Sequence, residues 1–586
     1  MFDATWLRPL IQHHIQERSG RRIDFDHLRI GLDAALQPTV RMRNLSIQNA
    51  PWAARQQPLI RAAELGFTLS WQSLRGERTV LTRLELVDAE IDLERRADGL
   101  RNWRLTHPDD RGPGRVRVQA IEARNTRAHV IDGGKRLELD LQVAALAAPI
   151  VLAGHADMPL LRQISARGTR DATPFEVDAT VSLLPTIFDT GRPFALRGEL
   201  RAGPARMQLE GTVTDLAQLA GAEVDLRLNG PRLAELGAVV GLADATRRLP
   251  ALASDASAHV AKQGDEWTVS RLQARIGRSD FAGNVQITHK PAGQGRSALR
   301  AALRSERIDV AGWRTARPAA AAASSGPGAG VVRRDALDAD VDLKVGTFEG
   351  AGPVALTGLV AHAALREGQI AMVVTQLAIA GGRASGTLNI DTASAPAAFA
   401  LDLRLHGLQV AQLARSATHA APGATLDGAL NARLALRSRG ESAHELGAAA
   451  AGTVTAELVR ASIPDALDAK LALDGGHWLR SIVGAGSERV AVVCSALELQ
   501  FERGRGEVRR LAFETPSANV HGSGSIDLGR ASVDLVLTPN RKQRTLLALD
   551  RSMHVSGPLS GPKVALVAAD RAAPAGGAAC RPMALQ

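Results

Sequence analysis

A stretch near the end of the chain, Ser517 to Pro539, constrains the fold more than any other. From Ala518 to Leu528 the even positions are apolar or glycine, and the odd positions are polar. After the dipeptide Gly529-Arg530 this parity reverses, and the apolar positions become Ala531, Val533, Leu535 and Leu537. Alternation with a period of two is typical of a β-strand with one buried face. The reversal predicts a hairpin with a two-residue loop, in which Leu528 and Ala531 pair across a type II′ turn.

Imperfect copies of this unit recur along the 586 residues. A signature of apolar residue, Asp, Leu, any residue and apolar residue occurs at 224–228, 341–345, 401–405 and 533–537. The copies hold no fixed spacing, which argues against a propeller or a strict solenoid. We therefore expect a mostly β protein with a few helices. Its main element would be a long antiparallel sheet, curved into a U-shaped trough or groove with the apolar face inward.

Helical spacing interrupts the strand pattern in a few places. Residues 5–19 predict an amphipathic helix that ends at Gly20. Its broad apolar face would contain Trp6, Leu7, Leu10, Ile11, His14 and Ile15. Further helices are predicted at 231–252, 408–417 and 463–484, where they would pack on the sheet or plug its end.

Composition predicts where the chain divides. The segment 315–330 is rich in Ala, Ser, Gly and Pro, which indicates a flexible linker or loop. It separates a β-rich region at 115–314 from a second β region at 331–570. An N-terminal region, 1–114, precedes both, and a tail rich in Ala, Gly and Pro, 571–586, is expected to be disordered.

Charge and cysteine content argue against several classes of protein. The 71 Lys and Arg residues nearly balance 61 Asp and Glu residues, and no dense basic block or finger motif occurs, so we expect no nucleic-acid partner. The cysteines, Cys494 and Cys580, are too few for a disulfide scaffold or a Cys-type zinc site. They could form one disulfide in an oxidising compartment. The sequence contains no run of 18 apolar residues and no signal peptide.

The motifs that usually carry chemistry are missing from the sequence. It has no HExxH, CxxC, GxSxG or P-loop pattern. His13 and His14 are adjacent, so on a helix they point about 100° apart and cannot share a metal ion. Glycine pairs such as Gly522 and Gly524 belong to strands and precede no helix, so they do not indicate a nucleotide site. We therefore expect no enzymatic activity, no metal and no cofactor.

A continuous apolar sheet face remains as the candidate functional feature. We single out ten residues on three copies of the repeat: Val224, Leu226, Leu228, Leu401, Leu403, Leu405, Ile526, Leu528, Val533 and Leu535. Two interpretations stay open. In one, side chains and helices fill the trough and this face is core. In the other, the face is partly open and solvates the acyl chains of lipid, each buried methylene contributing about 0.8 kcal/mol.

Several spaced segments resemble one protein family. They read WLRPLIQHHIQERSGRRIDF at 6–25, NLSIQNAPW at 44–52 and IDLERRADGLRNWRL at 91–105. In this order they resemble the N-terminal region of the bacterial AsmA family, and the strand with Cys494 and the segments from 501 to 566 are similar to its C-terminal region. The matching N-terminal residues are Asp3, Trp6, Gly20, Arg21, Asn49, Trp52, Asp98, Gly99, Asn102 and Trp103.

The resemblance implies a bridge-type lipid-transfer protein of the cell envelope. Such a protein would be anchored in the inner membrane, face the periplasm, and bind or conduct phospholipid toward the outer membrane. Some family members are linked to outer-membrane protein assembly, so the alternative is a periplasmic scaffold that regulates this assembly and protein targeting to the membrane. The family usually carries a transmembrane helix before the first segment. Here either the start codon was assigned too far downstream, or the anchor has been lost.

Overall fold

The chain divides into two compact units, with the boundary between Gly277 and Arg278. The computed structural model describes residues 2–71, 79–104, 116–182, 193–214, 221–240, 251–290, 295–315, 337–350, 354–413, 426–473, 489–542, 551–568 and 580. The boundary lies inside the region 115–314, which the sequence predicts as one block. The predicted linker, 315–330, and the predicted tail lie outside the described residues, apart from Thr315 and Cys580.

Within the described residues, the first unit is built from strands β1 to β17 with two helices. The helices are α1 (Arg8–Ser19), which follows a 3-10 turn at Thr5–Leu7, and α2 (Leu233–Val240). The strands are β1 Phe2–Asp3, β2 Ile23–Asp24, β3 His27–Leu32, β4 Pro38–Ile47, β5 Ile60–Leu69, β6 Thr79–Arg95, β7 Val116–Val118, β8 Ile121–Arg124, β9 Thr126–Asp132, β10 Leu137–Leu152, β11 His155–Arg170, β12 Thr173–Val181, β13 Phe194–Ala202, β14 Ala205–Val213, β15 Ala222–Gly230, β16 Ser254–Gln263 and β17 Glu266–Ile276. From β3 to β6, and again from β9 to β17, each strand pairs antiparallel with the next. The long strand β6 pairs in parallel with β7, β8 and β9 in turn.

The second unit repeats this design with strands β18 to β33. They are β18 Ser279–Thr288, β19 Ser297–Asp309, β20 Leu337–Glu349, β21 Leu356–Arg366, β22 Gln369–Ile379, β23 Gly382–Asp391, β24 Ala398–Gln409, β25 Asp427–Arg439, β26 Ala451–Pro464, β27 Arg489–Ala491, β28 Cys494–Glu502, β29 Arg505–Glu514, β30 Ala518–Asp527, β31 Ser532–Arg541, β32 Arg551–Pro558 and β33 Lys563–Ala568. Its helices are α3 (Val310–Thr315), α4 (Ala443–Ala448) and α5 (Asp465–Leu471). Strands β19 and β20 are parallel, and the order from β20 to β33 is antiparallel, with β26 paired to both β27 and β28.

The predicted fold class is confirmed: the protein is mostly β, with long antiparallel sheets and a few helices. Because successive side chains of a strand point to opposite faces, the alternation seen in the sequence sorts apolar and charged residues onto the two faces of each sheet. The inward-facing trough and the plugging of its end stay predictions.

The hairpin at the end of the chain has the predicted register but a different turn. Ile526 pairs with Val533 and Asp527 with Ser532, as the parity requires. The loop, however, runs over the four residues 528–531, and the left-handed residue is Ala531, at φ 49°, rather than Gly529. The two-residue type II′ prediction is therefore wrong. The Asp527 carboxylate accepts a hydrogen bond from the Arg530 backbone N–H at 2.8 Å, which stabilises the wider turn.

The N-terminal helix ends at Gly20, as predicted, with φ 66°. Its inner side carries Leu7 from the preceding turn together with Ile11 and Ile15, and these three pack against the main core of the first unit. Trp6 and Leu10 share the predicted apolar face but are exposed to solvent. The apolar surface of this helix is thus wider than the part that the core covers.

The other predicted helices are shorter within the described residues. Helix α2 forms the first part of 231–252, and residues 241–250 are not described. Strand β24 continues to Gln409, so only 410–413 of the prediction 408–417 is described as helical. Helix α5 lies inside 463–484, and residues 474–484 are not described.

Candidate functional site

The apolar face of the second unit is made of rows of side chains that cross many strands. One row runs from β20 to β31 through residues paired in register: Val341, Ala363, Met372, Leu388, Leu401, Leu436, Gly452, Phe501, Gly506, Ile526 and Val533. The sequence-predicted residues Leu401, Ile526 and Val533 therefore lie on one row. Leu403 lies on the next row, between Gly386 and Leu434. Leu405 pairs with Ala384 and Ala432.

Most large aliphatic residues of this face are half-buried between β20 and β26, with Val345 and Leu408 as buried exceptions. The half-buried residues include Leu401, Leu403 and Leu405, and their neighbours Leu388, Leu434, Leu436 and Val454. No core cluster of the described residues includes them. Side chains within one sheet cover each other's flanks, and the remaining surface of these residues is accessible to solvent. Small partners such as Ala361, Ala363 and Gly386 alternate with the large residues along the rows and leave space between them.

Beyond β26 the same face becomes covered. Leu499, Phe501 and Val533 are buried, while Ile526 and Leu535 are half-buried. Helix α5 and the residue after it contribute Leu471 and Ala472 to a cluster with Val520 and Leu537. Helix α5 thus packs on the apolar face near β30, as the sequence predicts for its helices. Leu528, by contrast, lies in the turn and belongs to no strand row.

In the first unit the three predicted residues of β15 have different surroundings. Leu228 packs against a cluster that helix α2 completes through Leu236 and Val239. Val224 packs against a separate small cluster with Phe194 and Val213. Leu226 lies between the two clusters, belongs to neither, and is half-buried. Helix α2 therefore covers one end of β15 and leaves its middle uncovered by these clusters.

The opposite face of each sheet carries a repeated ion pair that the sequence did not predict. The aspartate of every repeat signature meets a cationic or titratable side chain of the next strand. His259 Nδ1 lies 2.9 Å from Asp225, His362 Nδ1 lies 2.9 Å from Asp342, Arg433 donates to Asp402 at 3.0 Å, and His554 Nε2 lies 2.7 Å from Asp534. Asp140 pairs in the same way with His129 at 2.8 Å.

These pairs add little to stability because most of them are exposed. They do, however, disfavour a slip of register. A shift by two residues would keep every apolar residue on its face but would separate each aspartate from its partner. The sequence shows the aspartates, yet their partners lie far along the chain, 34 residues away for Asp225 and His259.

Residues that carry the N-terminal family resemblance converge on one buried polar network in the first unit. The Arg21 guanidinium donates to the backbone oxygen of Asn102. The Asn102 amide donates to Asn49 Oδ1 at 3.0 Å and to the backbone oxygen of Asp92 at 2.7 Å. The Asn49 amide donates in turn to Asp92 Oδ2 at 2.9 Å. Three motifs that are far apart in sequence therefore hold β6 against the loops at 49 and 102.

Burial changes the pKa of two charged groups in this network. It raises the pKa of the Asp92 carboxyl above its ordinary value, an effect that His129 and Arg55 oppose. It also lowers the pKa of Arg21. Asp92 Oδ1 is buried without a hydrogen-bond partner. The network has a structural role, because its hydrogen bonds tie β6 to the loops at 49 and 102.

The two large cavities of the first unit lie on its charged face. One, of about 830 Å³, is lined by side chains such as Arg197, Glu210, Asp225 and His259. The other, of about 890 Å³, is lined by Arg127, His129, Asp140 and Arg167 among others. Both linings are mostly polar and charged, although the first cavity also touches Leu209 and the predicted residue Leu226.

Two further features bear on function. Cys494 and Cys580 are joined by a disulfide. In the part of the chain that the structure describes, no group of three or more His, Cys, Asp or Glu side chains could hold a metal ion. Nor does any helix of those residues reach the length and apolarity needed to cross a membrane.

Long antiparallel sheets with one half-exposed apolar face define the class of protein, and comparison with known proteins identifies the family. The AsmA family model matches residues 142–507. This match covers more than half of the chain, and the chain belongs to the AsmA family. The chain is also similar to the AsmA family protein YhjG of Escherichia coli (strain K12), with 21% identity over 91% of this chain and 82% of that protein. No solved structure matches.

Proposed function

We propose that this chain is a non-enzymatic protein of the bacterial envelope that binds or conducts phospholipid along the apolar face of its sheet. The observation that carries the proposal is the half-burial of the aliphatic rows between β20 and β26. A face that is pure core would be covered by a second layer, because a sheet with one apolar face buries it against another element. Acyl chains lying along these rows would supply that layer.

The energetics favour such an occupant. Burial of apolar surface contributes about 25 cal/mol per Å², so chains of many methylenes would bind without polar contacts. The small residues between the large ones leave furrows on the face, which a flexible chain can fill. Because the recognition would be apolar, the face would accept lipids of different head groups.

Membership of the AsmA family supports a place in the envelope, with the protein facing the periplasm between inner and outer membrane. The disulfide between Cys494 and Cys580 supports the same place, since disulfides persist in the periplasm and are rare in the cytosol. We propose phospholipid and the inner membrane as its partners.

The test is to purify the full chain from bacteria and quantify co-purified phospholipid by mass spectrometry. The variants Leu226→Asp and Leu403→Asp place a charge on the apolar face. The matched controls Arg227→Asp and Arg404→Asp change the next residue of the same strands, on the exposed charged face. We expect lipid to be lost in the first pair only, with circular dichroism unchanged in all four.

The proposal fails if the folded natural chain carries no phospholipid, or if both pairs of variants retain it equally. If a protein of outer-membrane assembly co-purifies while lipid is absent, the chain acts as a scaffold instead.

A further inference from the structure

The turn between β3 and β4 displays apolar side chains that the core of the first unit does not use. Leu32, Leu36 and Trp71 are 52%, 65% and 53% exposed. Leu36 and Trp71 are in contact, because the Trp71 indole N–H donates to the Leu36 backbone oxygen at 2.8 Å. We call these three residues the apolar tip. Folded proteins scatter single apolar residues over their surface, but a fixed cluster that includes a tryptophan marks an interaction site.

The backbone of the tip is held in a conformation that leucine disfavours. Leu36 has φ 60°, in the left-handed region, where glycine and asparagine are the usual residues. The Asp33 carboxylate fixes this turn by accepting the backbone N–H groups of Ala35 at 2.9 Å and Gln37 at 2.8 Å. The backbone of Leu36 takes part in this turn, but its exposed side chain gains little from folding. Such an outlier points to a role outside the fold.

The tip is continuous with the apolar face of the sheet. Ile30, Val40 and Phe67 pair in register across β3, β4 and β5 and pack on the main core. Leu32 lies two residues beyond Ile30 on the same face of β3. Phe2, which pairs with Ile30, is also exposed on this face. The apolar rows therefore end in an exposed apolar edge rather than in a polar turn.

We propose that the apolar tip inserts into the surface of a lipid bilayer. This inference rests on the proposed function, because a face that receives phospholipid has to meet the membrane that supplies it. Tryptophan prefers the interface between head groups and acyl chains, and leucine prefers the hydrocarbon just below. A bilayer is the occupant that satisfies both kinds of side chain.

The test is flotation of the full chain with vesicles of phosphatidylethanolamine and phosphatidylglycerol. Leu36→Asn removes the leucine but suits the left-handed backbone, so its melting temperature should equal or exceed that of the natural chain. We expect Leu36→Asn and Trp71→Ser each to lower the vesicle-bound fraction about three- to tenfold, because each loses apolar surface that the bilayer would bury. The matched control Leu559→Asn changes an exposed turn leucine of the second unit and should bind like the natural chain.

The inference is overturned if the natural chain does not float, if Leu36→Asn floats equally well, or if Leu559→Asn loses as much binding. Phospholipid that co-purifies with each protein is measured in parallel. Tip-dependent flotation without bound lipid would support the membrane contact and contradict the proposed function. Bound lipid without flotation would support the proposed function and contradict the membrane contact.

Discussion

Strands β3 to β6 of the first unit and strands β20 to β26 of the second build their apolar faces from the same alternation but use them differently. In the first region Leu28, Leu45 and Phe25 are almost completely buried under a layer that includes helix α1. In the second region small residues such as Ala361, Ala363 and Gly386 lie between larger ones from β20 to β23, and most of the leucines stay half-buried. The same alternation of apolar and polar residues thus gives a closed core where helix α1 covers the apolar face. It gives a more open face between β20 and β26.

The largest expected difference between the regions is in the cost of shortening a leucine. Leu45→Ala, at a residue 1% exposed, should lower the free energy of unfolding by about 2–5 kcal/mol, because a cavity remains in a packed core. Leu434→Ala on the half-buried face should cost only about 1 kcal/mol, since this side chain is already partly exposed. Hydrogen exchange of β4 and β25, followed by mass spectrometry, reports the two regions separately. Equal costs would mean that the second face is covered as well.

A second expected effect concerns the backbone of the covered end of the second unit. Gly524 has φ 126°, and a Cβ added there would lie 2.2 Å from the backbone oxygen of Asp534. Gly524→Ala should therefore destabilise β30 and β31 by about 2 kcal/mol or more, as strands must move apart. Gly561→Ala is the control, because nothing lies within 4 Å of its Cβ position. Thermal unfolding of both variants measures the difference, and equal melting temperatures would show that the strands can separate freely.

The smallest expected effect is a change of stability with pH. It should differ between the buried polar network of the closed region and the exposed ion pairs of the open region. Because burial raises the pKa of Asp92, its carboxyl binds a proton more tightly in the folded chain than in the unfolded one. The stability that this group contributes is therefore complete below its unfolded pKa of 3.8 and decreases as the pH rises through the folded pKa. Asp92→Asn removes this penalty and keeps an acceptor for Asn49.

We expect Asp92→Asn to be more stable than the natural chain by about 1 kcal/mol at neutral pH, and this gain to shrink as the pH falls toward 4. Asp342→Asn, at an exposed ion pair of the open region, should change stability by less than about 0.5 kcal/mol at either pH. Urea unfolding at the two pH values measures both. A gain for Asp92→Asn that grows on acidification would contradict the assigned direction of the pKa.

The sequence predicted the strands and the two faces because alternation determines both at once. Ile526 and Val533 pair as their parity requires, even though the turn between them differs. The turn was mispredicted because the loop geometry follows a local bond from Arg530 to Asp527 and a left-handed alanine, which no pattern of polarity reveals.

The surroundings of the candidate residues could not be predicted in the same way. Whether Leu228 is covered and Leu226 is not depends on where helix α2 packs, which is a tertiary contact. The pairing of Asp342 with His362 depends on strand register. The exposure of Trp6 depends on which side of helix α1 meets the core. Periodicity identifies a face but does not show what lies on it.

The central claim, that the open face of the second unit contacts acyl chains, can be tested by placing a photo-crosslinking amino acid on it in living bacteria. Leu434 lies on the open face, and Ala435, the next residue of β25, lies on the opposite face and is also half-buried. We predict that irradiation attaches phospholipid to the chain modified at 434 and not to the chain modified at 435. Equal labelling at both positions, or none at 434 in folded protein, would contradict the account.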